Sequence, residues 1–255
     1  LIAENTVELT FLVDDPSFSF EAGQYVSIEI PALADRAVPD RYHDFSIASS
    51  PPVFARNEAI QEISIAFRIS QSIFKTALLA LPIGGVVNID GPKGVLTLPA
   101  PPHPSLRGTK QPSAPASIQH STFDILHPTP APLIFVAGGI GITPLLSMIR
   151  YATETSSPQQ ITLLYCNTSE ETTAYAEELH ALAQKNPHFT LVLLLGVPVE
   201  KLFAPYVQNA KKTPNTFWYI VGAPAMVRKV EQILGESGIM NTQIRIEEFS
   251  GYLPS

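Results

Sequence analysis

The chain has 255 residues, which at roughly 150 residues per domain fits two domains. Its 16 basic and 23 acidic residues leave a net charge of −7, which excludes gripping nucleic-acid backbone as its main task. An apolar share of 45% supplies a core and excludes a disordered chain. A single cysteine, Cys166, excludes a disulfide framework, a structural zinc site or a four-cysteine iron–sulfur cluster within the chain, and it is weakly in favour of a reducing compartment.

The first residue is Leu1 and no signal peptide is visible, so the start is read as a trimmed end with upstream sequence left open. Residues 6–98 are expected to be β-rich. In VELTFLV, Val7, Leu9, Phe11 and Val13 share one face. In QYVSIEI, Val26, Ile28 and Ile30 alternate with Ser27 and Glu29, and ISIAFRIS alternates Ile63, Ile65, Phe67 and Ile69 with smaller or polar residues. Such period-two patterns mark half-buried strands. Gly23, Gly84, Gly85 and the run Asp90–Gly94 punctuate them as turns. One helix interrupts, SIFKTALLAL, with Ser72 as its N-cap. The expectation is a six-stranded antiparallel β-barrel over residues 1–98.

Residues 99–132 hold nine of the 24 prolines and lack periodicity. They read as an insertion or linker, either solvated or folded as a lid over an interdomain cleft. His103, His120 and His127 fall there, at a spacing that matches no metal site.

Residues 133–255 alternate near-continuous apolar strands with helices, the pattern of a doubly wound parallel α/β domain. In order these are LIFVAG, PLLSMIRYA, ITLLYCN, EETTAYAEELHALAQKN, FTLVLLL, VEKLFAPYVQNA, TFWYIVG, PAMVRKVEQILGES and QIRIEEF. Thr168 and Glu171 have capping-box spacing. Pro205 is expected to break its helix, and Gly238 to stop the helix before it. Ala131–Ile149 is uncharged over 19 residues, long enough for a membrane span. The glycines and Pro144 at its centre favour strand, turn and helix instead.

That turn carries the strongest local signal. After the apolar strand come Gly138, Gly139 and Gly141, then Thr143 and Pro144. Glycine permits a tight turn and close approach of a pyrophosphate to backbone. Thr143 is expected as N-cap and Pro144 as the first helical residue, with the helix end offering free N–H groups to an anion. The third glycine of the usual dinucleotide fingerprint is missing.

These motifs together resemble the ferredoxin–NADP reductase superfamily of flavoenzymes. AGQYVSIEIP resembles the barrel's Gly-Gln strand, DFSIASSP its flavin motif, QSIFKTALLALPIGGVVNIDGPKG its flavin-phosphate segment, GGIGITP its dinucleotide turn, VGAPAMV the turn with Gly222 and Met226, and IEEFSGY its C-terminus. The resemblance implies bound FAD, with FMN less favoured, and a hydride passing from nicotinamide to flavin. It implies Ser46, Glu247 and Phe249 as catalytic residues. Ser46 would hydrogen-bond the flavin, Glu247 would relay a proton or position the nicotinamide, and Phe249 would cover the flavin until nicotinamide displaces it. It implies cofactor contacts at Arg41, Tyr42, Phe45, Ser46, Ile47, Arg68, Ser72, Gly138, Gly139, Gly141, Thr143, Pro144, Gly222 and Met226. Cys166 reads as buried filler.

The chain departs from that pattern. His43 stands where the family has an arginine that clamps flavin pyrophosphate, and Arg41 or Arg68 would have to substitute. Val221 and Ala223 replace a usual Cys and Pro. After the second α/β strand stand Glu170 and Glu171 with no Arg or Lys, which favours NADH over NADPH.

The function expected is therefore an FAD-dependent NAD(P)H oxidoreductase passing electrons to a separate acceptor. Two alternatives stay open: reduction of a small acceptor such as free flavin, ferric chelate or quinone, and a non-catalytic redox-sensing module. The expected partners are the dinucleotide and that acceptor, with no nucleic acid. Location is expected to be cytoplasmic, with tethering by an upstream membrane or carrier domain left open. All of this requires room for a flavin ring beside Ser46, between the two domains.

Overall fold

Alternation sets the first half of the molecule. In the computed structural model, which describes residues 1–36, 41–53, 61–99, 130–197, 203–213 and 215–249, β1 (Thr6–Val13) pairs antiparallel with β4 (Gln61–Arg68) along its whole length. β2 (Tyr25–Glu29) lies between β3 (Tyr42–Ser46) and β5 (Asn88–Lys93), antiparallel to both. A bridge between Ile47 and Ile65 ties the two sheets together. The described residues thus hold five antiparallel strands where six were expected.

The alternating residues close a core of Val26, Ile28, Ile30, Phe45, Ile63, Ile65, Phe67, Phe74 and their neighbours. Each such side chain fully buried contributes about 1.5–3 kcal/mol. β4 is buried on both faces. Ala66, on its second face, joins a cluster in which Ala22 and Leu96 of the barrel meet Leu145 and Met148 of the other domain. The short helix α1 (Ile73–Leu79) begins as expected, with the Ser72 hydroxyl accepting from Lys75 N at 3.5 Å.

The second half is a parallel sheet in the order β10-β9-β6-β7-β8, with β6 Leu133–Gly138, β7 Ile161–Asn167, β8 Phe189–Leu195, β9 Phe217–Gly222 and β10 Ile244–Glu248. Its strands are apolar on both faces because helices cover both. Phe135, Ala137, Leu163 and Tyr165 pack with α2 (Ile142–Glu154) and α3 (Ala176–Lys185). Ile134, Val136, Trp218 and Ile220 pack with α4 (Ala204–Lys212) and α5 (Pro224–Glu236). This is the doubly wound arrangement expected.

Three local expectations are corrected. α2 starts at Ile142 with Gly141 as N-cap, and the Thr143 hydroxyl turns back to donate to the Ile140 carbonyl at 3.1 Å. A short 3₁₀ turn, Gly139–Gly141, has already begun winding, so Thr143 and Pro144 lie inside the helix. The Thr168–Glu171 capping box does not form: Thr168 meets Thr172, and α3 waits until Ala176, after Tyr175 in a left-handed conformation. Pro205 sits in the first turn of α4 and opens the helix, because the N–H it lacks has no helical partner there.

No helix among the described residues is long and apolar enough to cross a membrane. The uncharged run at 131–149 is shared between β6 and α2. The readings made for residues 100–129, including the three histidines, lie outside the described residues.

Candidate functional site at the domain seam

The sheet order reverses between β6 and β9. From β6 the chain moves outward to β7 and β8, then returns to β9 and β10 on the other side. In such sheets the ligand crevice opens at the carboxyl ends of the strands flanking this switch. Here those ends are Gly138 and Gly222.

The two turns approach each other as only glycine allows. A Cβ at Gly138 would stand 2.4 Å from Met226 Sδ, and one at Gly141 would stand 2.5 Å from the Val221 carbonyl oxygen. Gly139 has φ +54, in the left-handed region. Its carbonyl accepts the Tyr165 hydroxyl at 3.0 Å, which pins the turn to β7. A Cβ at Gly139 would lie 3.1 Å from an Arg68 guanidinium nitrogen. Arg68 ends the barrel strand β4, so a cation from the first domain stands over the glycine turn of the second. Below it, α2 has no side chain capping its first N–H groups. A guanidinium and the positive end of a helix form a site that fits the phosphates of a dinucleotide.

A second junction lies on the same side of the sheet. Glu247 on β10 pairs with Val221 on β9. The Ser46 hydroxyl, from the end of β3, donates to Glu247 Oε1 at 3.3 Å. Burial raises the Glu247 pKa, and the Ser46 bond opposes this in part. Phe249 follows, its N–H donating to the Gly222 carbonyl at 2.9 Å, its ring against the cluster that joins the domains. Ser46, Glu247, Phe249, Arg68, the three glycines, Thr143, Pro144, Gly222 and Met226 therefore converge on one seam. Ser46 is 6% exposed and already bonded, so a flavin edge reaching its hydroxyl must share or displace the Glu247 contact.

The remaining expected residues lie elsewhere. Phe45 and Ile47 are in the barrel core, Phe45 against Phe67, Phe74 and His43 at ring distances of 5.5, 6.1 and 4.9 Å. Arg41 is held by Glu29 at 2.5 Å and lies over the Tyr42 ring at the far end of β3. Ser72 caps α1. His43 lies between Phe45 and Phe74, and burial drops its pKa to about 4, with the Lys75 charge acting in the same direction. It is neutral at pH 7 and supplies no cation to a phosphate. Burial pushes the Cys166 thiol up to about 11, the behaviour of a packed, unreactive sulfur.

Sequence reasoning missed the contacts that join the domains. The Ser147 hydroxyl on α2 donates to the Ser49 carbonyl at 2.6 Å, and Tyr219 on β9 donates to the Thr97 carbonyl at 2.9 Å. Arg150, one turn after Ser147, touches both domains. Each pair is 98 or more residues apart in the chain, so no local pattern announces it.

Several known proteins are similar to this chain. The oxidoreductase NAD-binding domain family matches residues 135–232. Ferredoxin–NADP reductase B of Sorangium cellulosum is 27% identical over 95% of this chain and 91% of its own length. The ferredoxin–NAD(P)(+) reductase component of the naphthalene 1,2-dioxygenase/salicylate 5-hydroxylase systems of a Ralstonia species is 25% identical over 90% of this chain, which spans 60% of that protein. Among solved structures, a variant of the Plasmodium falciparum ferredoxin–NADP+ reductase superposes with a TM-score of 0.67 at 17% identity, covering 95% of this chain and 88% of that one.

Proposed function

We propose that the chain, which is similar to the ferredoxin–NADP reductase superfamily of flavoenzymes, is an FAD-dependent NAD(P)H oxidoreductase that passes electrons to a separate acceptor. The observation that carries this reading is the convergence, at one seam, of a glycine turn under Arg68 and a Ser46–Glu247 contact made by two different domains. Hydride transfer needs two rings held at near-attack distance, about 3–3.5 Å, and a site built from both domains can hold one ring from each side. When bound, FAD supplies the hydride acceptor and the means to release electrons singly.

The chain's own residues take distinct parts. Arg68 and the start of α2 hold the dinucleotide phosphates; Arg68 faces that turn rather than substituting for the missing flavin clamp. Gly222 and Met226 floor the nicotinamide side. Ser46 orients the flavin edge, and Glu247, whose pKa burial raises, is the acid–base group beside it. Phe249 covers the ring face. On the loop after β7, Glu170 and Glu171 are exposed and would repel a 2′-phosphate, which supports NADH over NADPH. FAD over FMN, and the six-stranded flavin barrel, rest on the family resemblance. A second reading, reduction of a small diffusible acceptor, is favoured by the net charge of −7, because acidic carrier proteins would be repelled.

The test is binding first, then choice of substrate. Purified protein is titrated with FAD and with FMN by quenching of flavin fluorescence, and the complex with NADH and NADPH. One FAD per chain and tighter NADH binding are expected. A chain that takes up no flavin refutes the proposal, and tighter NADPH binding refutes the nucleotide preference.

A further inference from the structure

α2 does two things at once. Its first turn continues the glycine turn, and its next two turns face the barrel segment that follows Ser46. Ser147 binds the Ser49 carbonyl, and Ser50 donates to Glu154. A Cβ at Gly23 would stand 2.3 Å from the Met148 ε-carbon, so barrel backbone and helix side chain are in direct contact.

Arg150 sits between these contacts. Its Nη1 donates to the Ala48 carbonyl at 2.8 Å, two residues past Ser46. Its Nε and Nη2 reach the two carboxylate oxygens of Glu178 on α3 at 2.6 and 2.7 Å. Glu8, on the barrel strand β1, stands 3.8 Å away, and the Tyr175 ring lies under the guanidinium at 5.4 Å. The side chain is 16% exposed. Burial opposes its charge, but the Glu178 bond and the nearby carboxylates more than restore it. One planar cation thus joins β1, the segment after β3, α2 and α3. Lysine has the charge but not the fork.

We propose that Arg150 is an interdomain positioning residue: it fixes where the Ser46 end of the barrel stands relative to the dinucleotide turn, and so sets the alignment of nicotinamide and flavin. The second half of this statement rests on the function proposed above; the first half does not. Arg150 touches neither ring. It acts through Ala48 on one side and through its own helix on the other. Loss of the guanidinium also leaves the Glu8 and Glu178 carboxylates without the cation they share.

Two measurements on Arg150→Met and Arg150→Lys separate the possibilities. Spin labels at Leu12→Cys on the barrel and Glu231→Cys on α5, in a Cys166→Ser background, report the interdomain distance distribution. It is expected to be narrow in the parent, broad in Arg150→Met and intermediate in Arg150→Lys. In FAD-loaded protein, the single-turnover rate of flavin reduction at saturating NADH is expected to fall ~10–100-fold in Arg150→Met, with NADH affinity close to the parent's and partial recovery in Arg150→Lys. A merely structural residue would lower the folded fraction without slowing reduction per bound flavin. If Arg150→Met does not fold, Arg150→Lys decides. Unchanged distances overturn the proposal, as does broadening with an unchanged rate. A parent that binds no flavin refutes the proposed function, and the distances alone then decide the role of Arg150.

Discussion

Gly141→Ala adds one methyl group where the backbone leaves no room for it. Gly141 has φ −61 and ψ −2, an ordinary right-handed conformation, so alanine meets no torsional penalty and the effect is steric. The new carbon would stand 2.5 Å from the Val221 oxygen, 2.7 Å from the Val221 carbonyl carbon and 2.8 Å from Gly222 Cα. These are backbone atoms of β9, a strand held on both sides by β6 and β10, so no side chain can rotate away. Overpacking of this kind costs about 1–3 kcal/mol. At roughly 2–4 °C per kcal/mol for a chain of this size, Tm falls by about 2–12 °C. The turn must also move away from β9, which spoils the phosphate cradle. Gly235→Ala is the control. It is helical, within α5, with nothing inside 4 Å of its Cβ, and should gain about 0.5–1 kcal/mol. Urea unfolding midpoints and NADH titrations of both variants make the comparison. A Gly141→Ala protein with parental stability and affinity would refute the packing argument.

Other outcomes follow from the same geometry. Arg68→Ala should raise the NADH Kd by roughly ten- to 140-fold, the loss of one charge-assisted contact, and leave FAD affinity unchanged; titration of each ligand checks both halves. His43 is held neutral in the fold down to about 4 but protonates near 6.5 when unfolded. The unfolded chain therefore binds more protons between those values, and stability falls as pH drops through that window; His43→Phe should flatten this fall in unfolding midpoints. Glu247 has the opposite sign. Its raised pKa means the fold keeps a proton that the unfolded chain releases, so stability declines as pH rises above the usual carboxylate range. Glu247→Gln should remove that decline while slowing flavin reduction, and unfolding midpoints across pH together with reduction rates test the pair.

Much of the fold was legible because its signals are local. The period-two runs became β1, β2 and β4, and the apolar runs became the five parallel strands. Gly238, at φ +81, stands just past α5 as expected. The dinucleotide turn was readable because tight backbone approach has few solutions other than glycine. Short-range rules fail where an adjoining turn or a distant partner overrules them. Thr143 has the chemistry of an N-cap, yet the 3₁₀ turn before it has already begun the winding, and its hydroxyl turns back to the Ile140 carbonyl. The Thr168 box lost to Tyr175, whose ring lies under Arg150 and whose left-handed backbone delays the helix. Arg41, expected at a cofactor phosphate, is held in this fold by Glu29, 12 residues away. The site itself was half legible: the motifs named Ser46 and Glu247 separately, and only the folded chain brings them, 201 residues apart, to 3.3 Å.

The most direct test is a single anaerobic mixing of FAD-loaded protein with NADH, followed by flavin absorbance. Rapid first-order bleaching that saturates with NADH, and slows when the C4 hydrogen is deuterium, is what two rings meeting across this seam predict. Flavin that binds yet stays oxidised in the presence of saturating NADH would contradict it.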